Sequence, residues 1–284
     1  MAEWEPLQVG VMFWTGGVLG VDASPAEITA MVKSLGVSCG QLGVHGQADI
    51  GPDGSAAWKD ALESSGIALN TVFAAFDGES YADIPTVEKT VGYIPANTRQ
   101  EREQRTREIS DFAHFLGVPG IAAHIGFVPE DHGDPGYIAV RGMMRRLCDY
   151  CSAHGQTFAL ETGQEPATVL REFISDVDRS NLKVNFDPAN MILYGSGEPL
   201  AALDVVHPWL VSVHCKDGTW PKEKGVFGQE TPLGEGDVGM ADYVAKLKAV
   251  GYTGPLTIER EITGEAQRGD ILRAIALLEQ LRAA

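Results

Sequence analysis

Basic residues are scarce in this chain. Lys and Arg number 22 against 39 Asp and Glu over 284 residues, giving a formal net charge of −17. Such a surface repels phosphate backbones, which argues against nucleic acid as a partner. Cysteine is also sparse: Cys39, Cys148, Cys151 and Cys215 are too few and too scattered for a disulfide scaffold. No apolar run approaches the roughly 20 residues that span a bilayer. The opening Met1-Ala2-Glu3-Trp4-Glu5-Pro6 lacks the apolar core of a signal peptide. These absences lead to the expectation of a cytoplasmic protein with no membrane attachment. No Pro/Ser-rich linker or break in composition interrupts the chain, so a single domain is expected over residues 1–284.

What the chain does have is a repeated alternation of short apolar runs and helical patterns. The runs are Leu7–Phe13, Cys39–Val44, Ala68–Phe73, Ile121–His124, Phe158–Glu161, Lys183–Asp187, Leu210–His214 and Leu256–Glu259. Eight strand-then-helix units predict an α/β chain folded as one (β/α)₈ TIM barrel. Ser24-Pro25-Ala26-Glu27 offers an N-cap, a proline at the first helical position and a capping-box glutamate. Three irregular stretches, Phe76–Asn97, Phe127–Gly136 and Gly218–Gly239, follow strands and so should form the mouth of a pocket.

Four of the runs end in metal-friendly residues: Glu161, Asp187, His214 and Glu259. On strands five to eight of a parallel barrel they would converge on one site. Three carboxylates held together need a cation. Oxygen and imidazole donors suit one divalent ion, with Mn²⁺ placed first and Mg²⁺, Co²⁺ or Zn²⁺ open. Such an ion would chelate a carbonyl oxygen and a neighbouring hydroxyl and stabilise an enediolate. Glu161 and Glu259, well apart around the ring, would then remove and return the carbon-bound proton.

The stretches Ala123-His124-Ile125-Gly126, Leu160-Glu161-Thr162-Gly163, Asn185-Phe186-Asp187-Pro188-Ala189-Asn190, Val213-His214-Cys215-Lys216-Asp217 and Thr257-Ile258-Glu259 carry a resemblance. In order and spacing the chain resembles the sugar phosphate isomerase/epimerase family of xylose-isomerase-like TIM barrels. That group includes ketose 3-epimerases, inosose dehydratases and, more distantly, metal-dependent apurinic endonucleases. The resemblance implies that Glu161, Asp187, His214 and Glu259 are metal ligands and that the two glutamates double as the acid/base pair. Many ketose epimerases of the family carry histidine three residues after the strand-six aspartate; here Asn190 stands there. Its presence, with the acidic surface, counts against DNA cleavage. Many members are dimers or tetramers, which leaves a homo-oligomer open.

Secondary candidates surround this set. His124, Asn190, Lys216, Asp217, Glu235, His45 and Trp14 are expected to contact substrate. Lys216 shares the strand face of His214 by period-2 alternation, and Trp14 would stack on a sugar ring. Glu235 lies in the flexible Gly234-Glu235-Gly236. Arg260 is expected to pair with Glu261 or Glu235. Cys148 and Cys151, three apart in a helical pattern, should be buried on one face. The expected function is a metal-dependent isomerase or epimerase of a neutral sugar, keto-sugar or polyol, with a lyase or dehydratase on a keto-sugar or keto-inositol as the alternative. An apurinic-endonuclease-like phosphodiesterase ranks below both.

Overall fold

The computed structural model describes residues 4–16, 23–46 and 48–284. Met1, Ala2 and Glu3 of the opening segment lie outside the described residues. Eight parallel strands close into a barrel: β1 (Val9–Trp14), β2 (Cys39–Val44), β3 (Ala68–Ala74), β4 (Gly120–His124), β5 (Thr157–Glu161), β6 (Leu182–Phe186), β7 (Leu210–Cys215) and β10 (Leu256–Ile258). Each strand pairs with its sequence neighbour, and β10 closes the ring onto β1 through Val9↔Leu256.

Helices fill the crossovers: α1 (Pro25–Lys33), α2 (Pro52–Ser65), α3 (Ile84–Thr90), α4 (Arg99–Phe115), α5 (Pro135–Ala153), α6 (Ala167–Val177), α7 (Pro188–Tyr194), α8 (Pro199–Val206), α9 (Met240–Ala249) and α10 (Glu265–Ala283). Their starts follow from local chemistry. The Ser24 side chain accepts from the Glu27 N–H while Glu27 accepts from the Ser24 N–H, a complete capping box. Asp134 caps α5 through the N–H groups of Gly136 and Tyr137. In α6, Leu170, Phe173, Ile174 and Val177 recur at helical spacing, and all are buried against the sheet.

Two features depart from the expected pattern. The stretch Gly218–Gly239 is not wholly irregular: it contains β9 (Gln229–Thr231), which pairs antiparallel with β8 (Asp217–Thr219). The stretch Phe76–Asn97 contains α3. Both elements are too short to print a period on the sequence.

The main core lies between barrel and helices, and a smaller apolar cluster of Met12, Phe73, Ala122 and Ala159 sits apart from it. Buried polar residues on the strands include Gln41, Asn185, Ser212 and His214. Cys148 and Cys151 are buried free thiols on α5, and burial raises them to about 12 and about 11, which makes them inert at neutral pH.

Candidate metal centre and pocket

The strand ends bring Glu161, Asp187, His214 and Glu259 together. One donor atom from each lies within 4.8 Å of those of the others, and all four residues are buried. His214 Nδ1 is the hub, 2.8 Å from Glu161 Oε1, 3.3 Å from Glu259 Oε2 and 3.5 Å from Asp187 Oδ2. Asp187 follows β6 and caps α7. Its Oδ1 accepts the Asn190 N–H at 2.9 Å, leaving Oδ2 to face the centre.

The histidine tautomer is set from behind. Gln41 Nε2 donates to Asn185 Oδ1 at 3.2 Å, and the Ser212 hydroxyl donates to the same oxygen at 2.5 Å. Gln41 is thereby oriented with Oε1 toward His214 Nε2, at 3.2 Å. Asn185 Nδ2 also faces Nε2, at 3.4 Å, while Nδ1 points at the carboxylates; with Gln41 Oε1 accepting from Nε2, Nδ1 would present its lone pair to an ion. Neither Nδ1 nor Asp187 Oδ2 has an aligned hydrogen-bond partner, although both are buried. Orphaned atoms of this kind, in a set of three carboxylates and one imidazole, fit a divalent cation. When the centre is filled by a proton instead, burial opposes the imidazolium, but Glu259 and Glu161 outweigh it and hold its pKa well above the usual histidine range. For Glu259 burial favours the neutral acid, yet His214 and Lys216 prevail and keep it well below the usual carboxylate range.

Around this hub the predicted secondary residues divide into three groups. His124 and Asn190 touch Glu161 and also line the pocket. His124 Nε2 lies 3.1 Å from Glu161 Oε2, and its Nδ1 faces Gln164 Nε2 at 3.3 Å. Asn190 Nδ2 donates to Glu161 Oε1 at 3.4 Å. Asn190 fits tightly because residue 163 is glycine: at φ 156°, a Cβ there would come within 2.8 Å of the Asn190 Cβ.

Lys216 and Asp217 belong to a second group, occupied by protein partners. Lys216 Nζ contacts Glu261 Oε2 at 2.9 Å, Glu259 Oε2 at 3.1 Å and Asn190 Oδ1 at 3.2 Å. Three ammonium hydrogens thus meet three oxygens. Burial disfavours this charge, but the carboxylates, Glu259 foremost, hold its pKa well above the lysine norm. Asp217 serves the loop instead of a ligand. Its carboxylate accepts the backbone N–H groups of Gly218, Gly234, Gly236 and Val238 at 2.9–3.2 Å. A Cβ at Gly236 would sit 2.3 Å from Asp217 Oδ1, so glycine is required for that approach.

The third group is peripheral. Glu235 is exposed. Trp14 and His45 stack on each other at 4.8 Å, and Trp14 meets Phe73 edge-on. Neither is among the residues lining the cavity beside the metal-friendly cluster. Arg260 pairs with Glu230 and Asp270, not with Glu261 or Glu235.

That cavity measures about 220 Å³ and is lined by Tyr81, His124, Asn190, Leu193, Tyr194, Phe227, Gly228, Glu230 and Glu261. Of these, Tyr81, Tyr194, Phe227 and Glu230 carry no mark in the sequence, because they come from separate loops, the end of α7 and the short β9, which meet only in three dimensions. Gln41 had a visible signal: it is the one long polar side chain in the run Cys39–Val44. Gln164 and Glu165, after β5, had none. Glu165 is buried with neither carboxylate oxygen hydrogen-bonded, and burial pushes its pKa to about 8.

Residues 30–281 match the family model for the xylose isomerase-like TIM barrel. A xylose isomerase domain protein from Planctomyces limnophilus is 41% identical, superposes with a TM-score of 0.88, and covers 99% of this chain and 98% of its own. Two further solved structures share the fold at low identity. One is the 3-keto-D-glucoside 4-epimerase YcjR of E. coli (16% identity, TM-score 0.72, 96% and 99% coverage). The other is a xylose isomerase-like TIM barrel protein from Mycobacterium smegmatis in complex with magnesium (17%, 0.71, 98% and 96%). Among curated proteins, an uncharacterized protein of Methanocaldococcus jannaschii, MJ1311, is 28% identical over 169 residues; the match spans 55% of this chain and 55% of that protein. Among the described residues no helix is long and apolar enough to cross a membrane.

Proposed function

The chain belongs to the xylose isomerase-like TIM barrel family, and on that premise we propose that it is an isomerase or epimerase of an uncharged sugar or keto-sugar, dependent on one divalent ion. Glu161, Asp187, His214 and Glu259 would hold the ion, with Mn²⁺ the first candidate. The observation that carries this reading is the convergence of His214 Nδ1 and three buried carboxylates, one of them with an orphaned oxygen. The magnesium complex of the mycobacterial relative and the keto-glucoside epimerase activity of YcjR agree with it.

When bound, the ion supplies Lewis-acid stabilisation to an oxyanion developing beside the carbon that loses its proton. The remaining work belongs to this chain's side chains. Glu259, whose Oε2 lies 3.1 Å from the Lys216 ammonium, would accept the proton at a carboxylate oxygen. Glu161 Oε1 also approaches Nδ1, at 2.8 Å. Its Oε2 is held by His124 and its Oε1 by Asn190, which fixes the carboxylate plane for proton delivery. Tyr81, Tyr194 and Phe227 wall the cavity with aromatic faces that stack on a sugar ring and displace water. A volume of about 220 Å³ lies below the range typical of drug-sized ligands, which favours one small sugar unit.

The test is direct. Purified protein should contain about one divalent ion per chain, and metal-loaded protein incubated with keto-sugars in D₂O should exchange the hydrogen next to the carbonyl. Full activity after complete metal removal would refute the reading. A product lacking one water would move it to the dehydratase alternative.

A further inference from the structure

Beside the four-residue centre lies a second cluster of oxygens, partly shared with it, that encloses the Lys216 ammonium. We propose that Lys216 is a built-in second cation: its ammonium fills a position that the surrounding oxygens would otherwise offer to a divalent metal ion.

The geometry argues for this in three steps. First, Nζ is surrounded by Glu261 Oε2 at 2.9 Å, Glu259 Oε2 at 3.1 Å, Asn190 Oδ1 at 3.2 Å and Asp187 Oδ2 at 3.9 Å. Three carboxylates and one amide carbonyl form the hard-oxygen set that Mg²⁺ or Mn²⁺ takes. Second, two of these oxygens face both cation positions. Glu259 Oε2 lies 3.3 Å from His214 Nδ1, and Asp187 Oδ2 lies 3.5 Å from it. Asp187 Oδ2 is buried and has no hydrogen-bond partner, so it is available to a cation on either side. Third, the charges nearly balance. Glu161, Asp187, Glu259 and Glu261 carry four negative charges, one divalent ion with one ammonium supplies three positive ones, and the excess falls on Glu261, whose side chain is 60% exposed to solvent.

Lys216 is therefore a positioning residue that limits the centre to a single metal ion. Its ammonium also reaches Asn190, which reaches Glu161, so one lysine ties the spacing of the two glutamates.

This inference rests on the metal-centre reading above, and the experiment separates the two. Mn²⁺ is titrated into metal-free wild type, Lys216→Ala, Lys216→Gln and Lys216→Arg by calorimetry. Folding is checked by melting temperature, and low-temperature electron paramagnetic resonance reports spin-coupled Mn²⁺ pairs. The expected stoichiometry is one for wild type and Lys216→Arg, and two, with a coupled-pair signal, for Lys216→Ala and Lys216→Gln. A folded Lys216→Ala or Lys216→Gln that still binds one Mn²⁺ overturns the proposal, as does a wild type that binds two. A wild type that binds none defeats the metal-centre reading itself.

Discussion

At the carboxyl-terminal end of the barrel, buried charged residues converge on a cavity of about 220 Å³; at the amino-terminal end, a cavity of about 860 Å³ is lined by Leu62, Ile67, Leu69, Leu116, Val118 and Pro119, with Lys59 and Glu63 among them. The larger space gathers no set of metal-friendly side chains: among the described residues the one such group is at the other end. Volume is thus a poor guide to chemistry here, and convergent, under-satisfied polar atoms are a better one. The two ends also differ in what they contribute. One holds charges that cost folding energy when unpaired. The other is a mostly apolar hollow between strand starts and helix ends.

The sharpest way to break this contrast is at Glu259. Glu259→Gln should lower turnover by about 10²–10⁴-fold while shifting the melting temperature by only a few degrees. A near-normal rate would remove Glu259 from the acid/base role. Next comes the residue that orients His214 from inside the barrel. Gln41→Leu should weaken Mn²⁺ binding by roughly 10–100-fold, as loss of an outer partner does, and calorimetry reads it. Unchanged affinity would mean that the tautomer is set elsewhere.

Glu165 tests whether the functional end is strained by its charges. Its carboxyl pKa is raised to about 8 in the fold, against 4.5 ordinarily. Between those values the folded chain binds more protons than the unfolded one, so this group's contribution to stability is full below pH 4.5 and declines as pH rises toward 8. Glu165→Gln should therefore be neutral near pH 4 and stabilising at pH 8, on the order of 4 kcal/mol, as measured by urea unfolding. A variant with no pH-dependent gain would show that Glu165 is solvated in the fold.

The amino-terminal end should give the opposite result. Val118→Ala ought to cost about 1–2 kcal/mol of stability and leave Mn²⁺ affinity untouched. Smallest of all, His45→Ala should change stability by less than about 0.5 kcal/mol. His45 is exposed and stacked on Trp14 outside the pocket lining.

The contrast also explains what could be read from the amino-acid order. Strand ends are legible because an apolar run that stops at Glu161 or Glu259 states both burial and chemistry in a few consecutive residues. Period-2 alternation likewise placed Lys216 on the inward face with His214. It could not tell that three oxygens already surround the ammonium, because two of them belong to Asn190 and Glu261, distant in sequence. The contacts of Asp217 are hidden for a related reason: they include backbone N–H groups 17–21 residues onward, which no side-chain pattern marks. Tyr81, Tyr194 and Phe227 share a cavity wall but come from separate segments whose placement depends on closure of the whole ring.

Asp187 divides its two oxygens between different duties. Oδ1 accepts the amide of Asn190 and so starts α7, while Oδ2 faces the metal-friendly centre. Local helix order and ion occupancy are therefore written on one carboxylate. An ion held at Oδ2 would stiffen the cap, and its departure would loosen the first turn. Solvent exchange of the Asn190 amide would then serve as an internal gauge of the centre, readable without any substrate in hand.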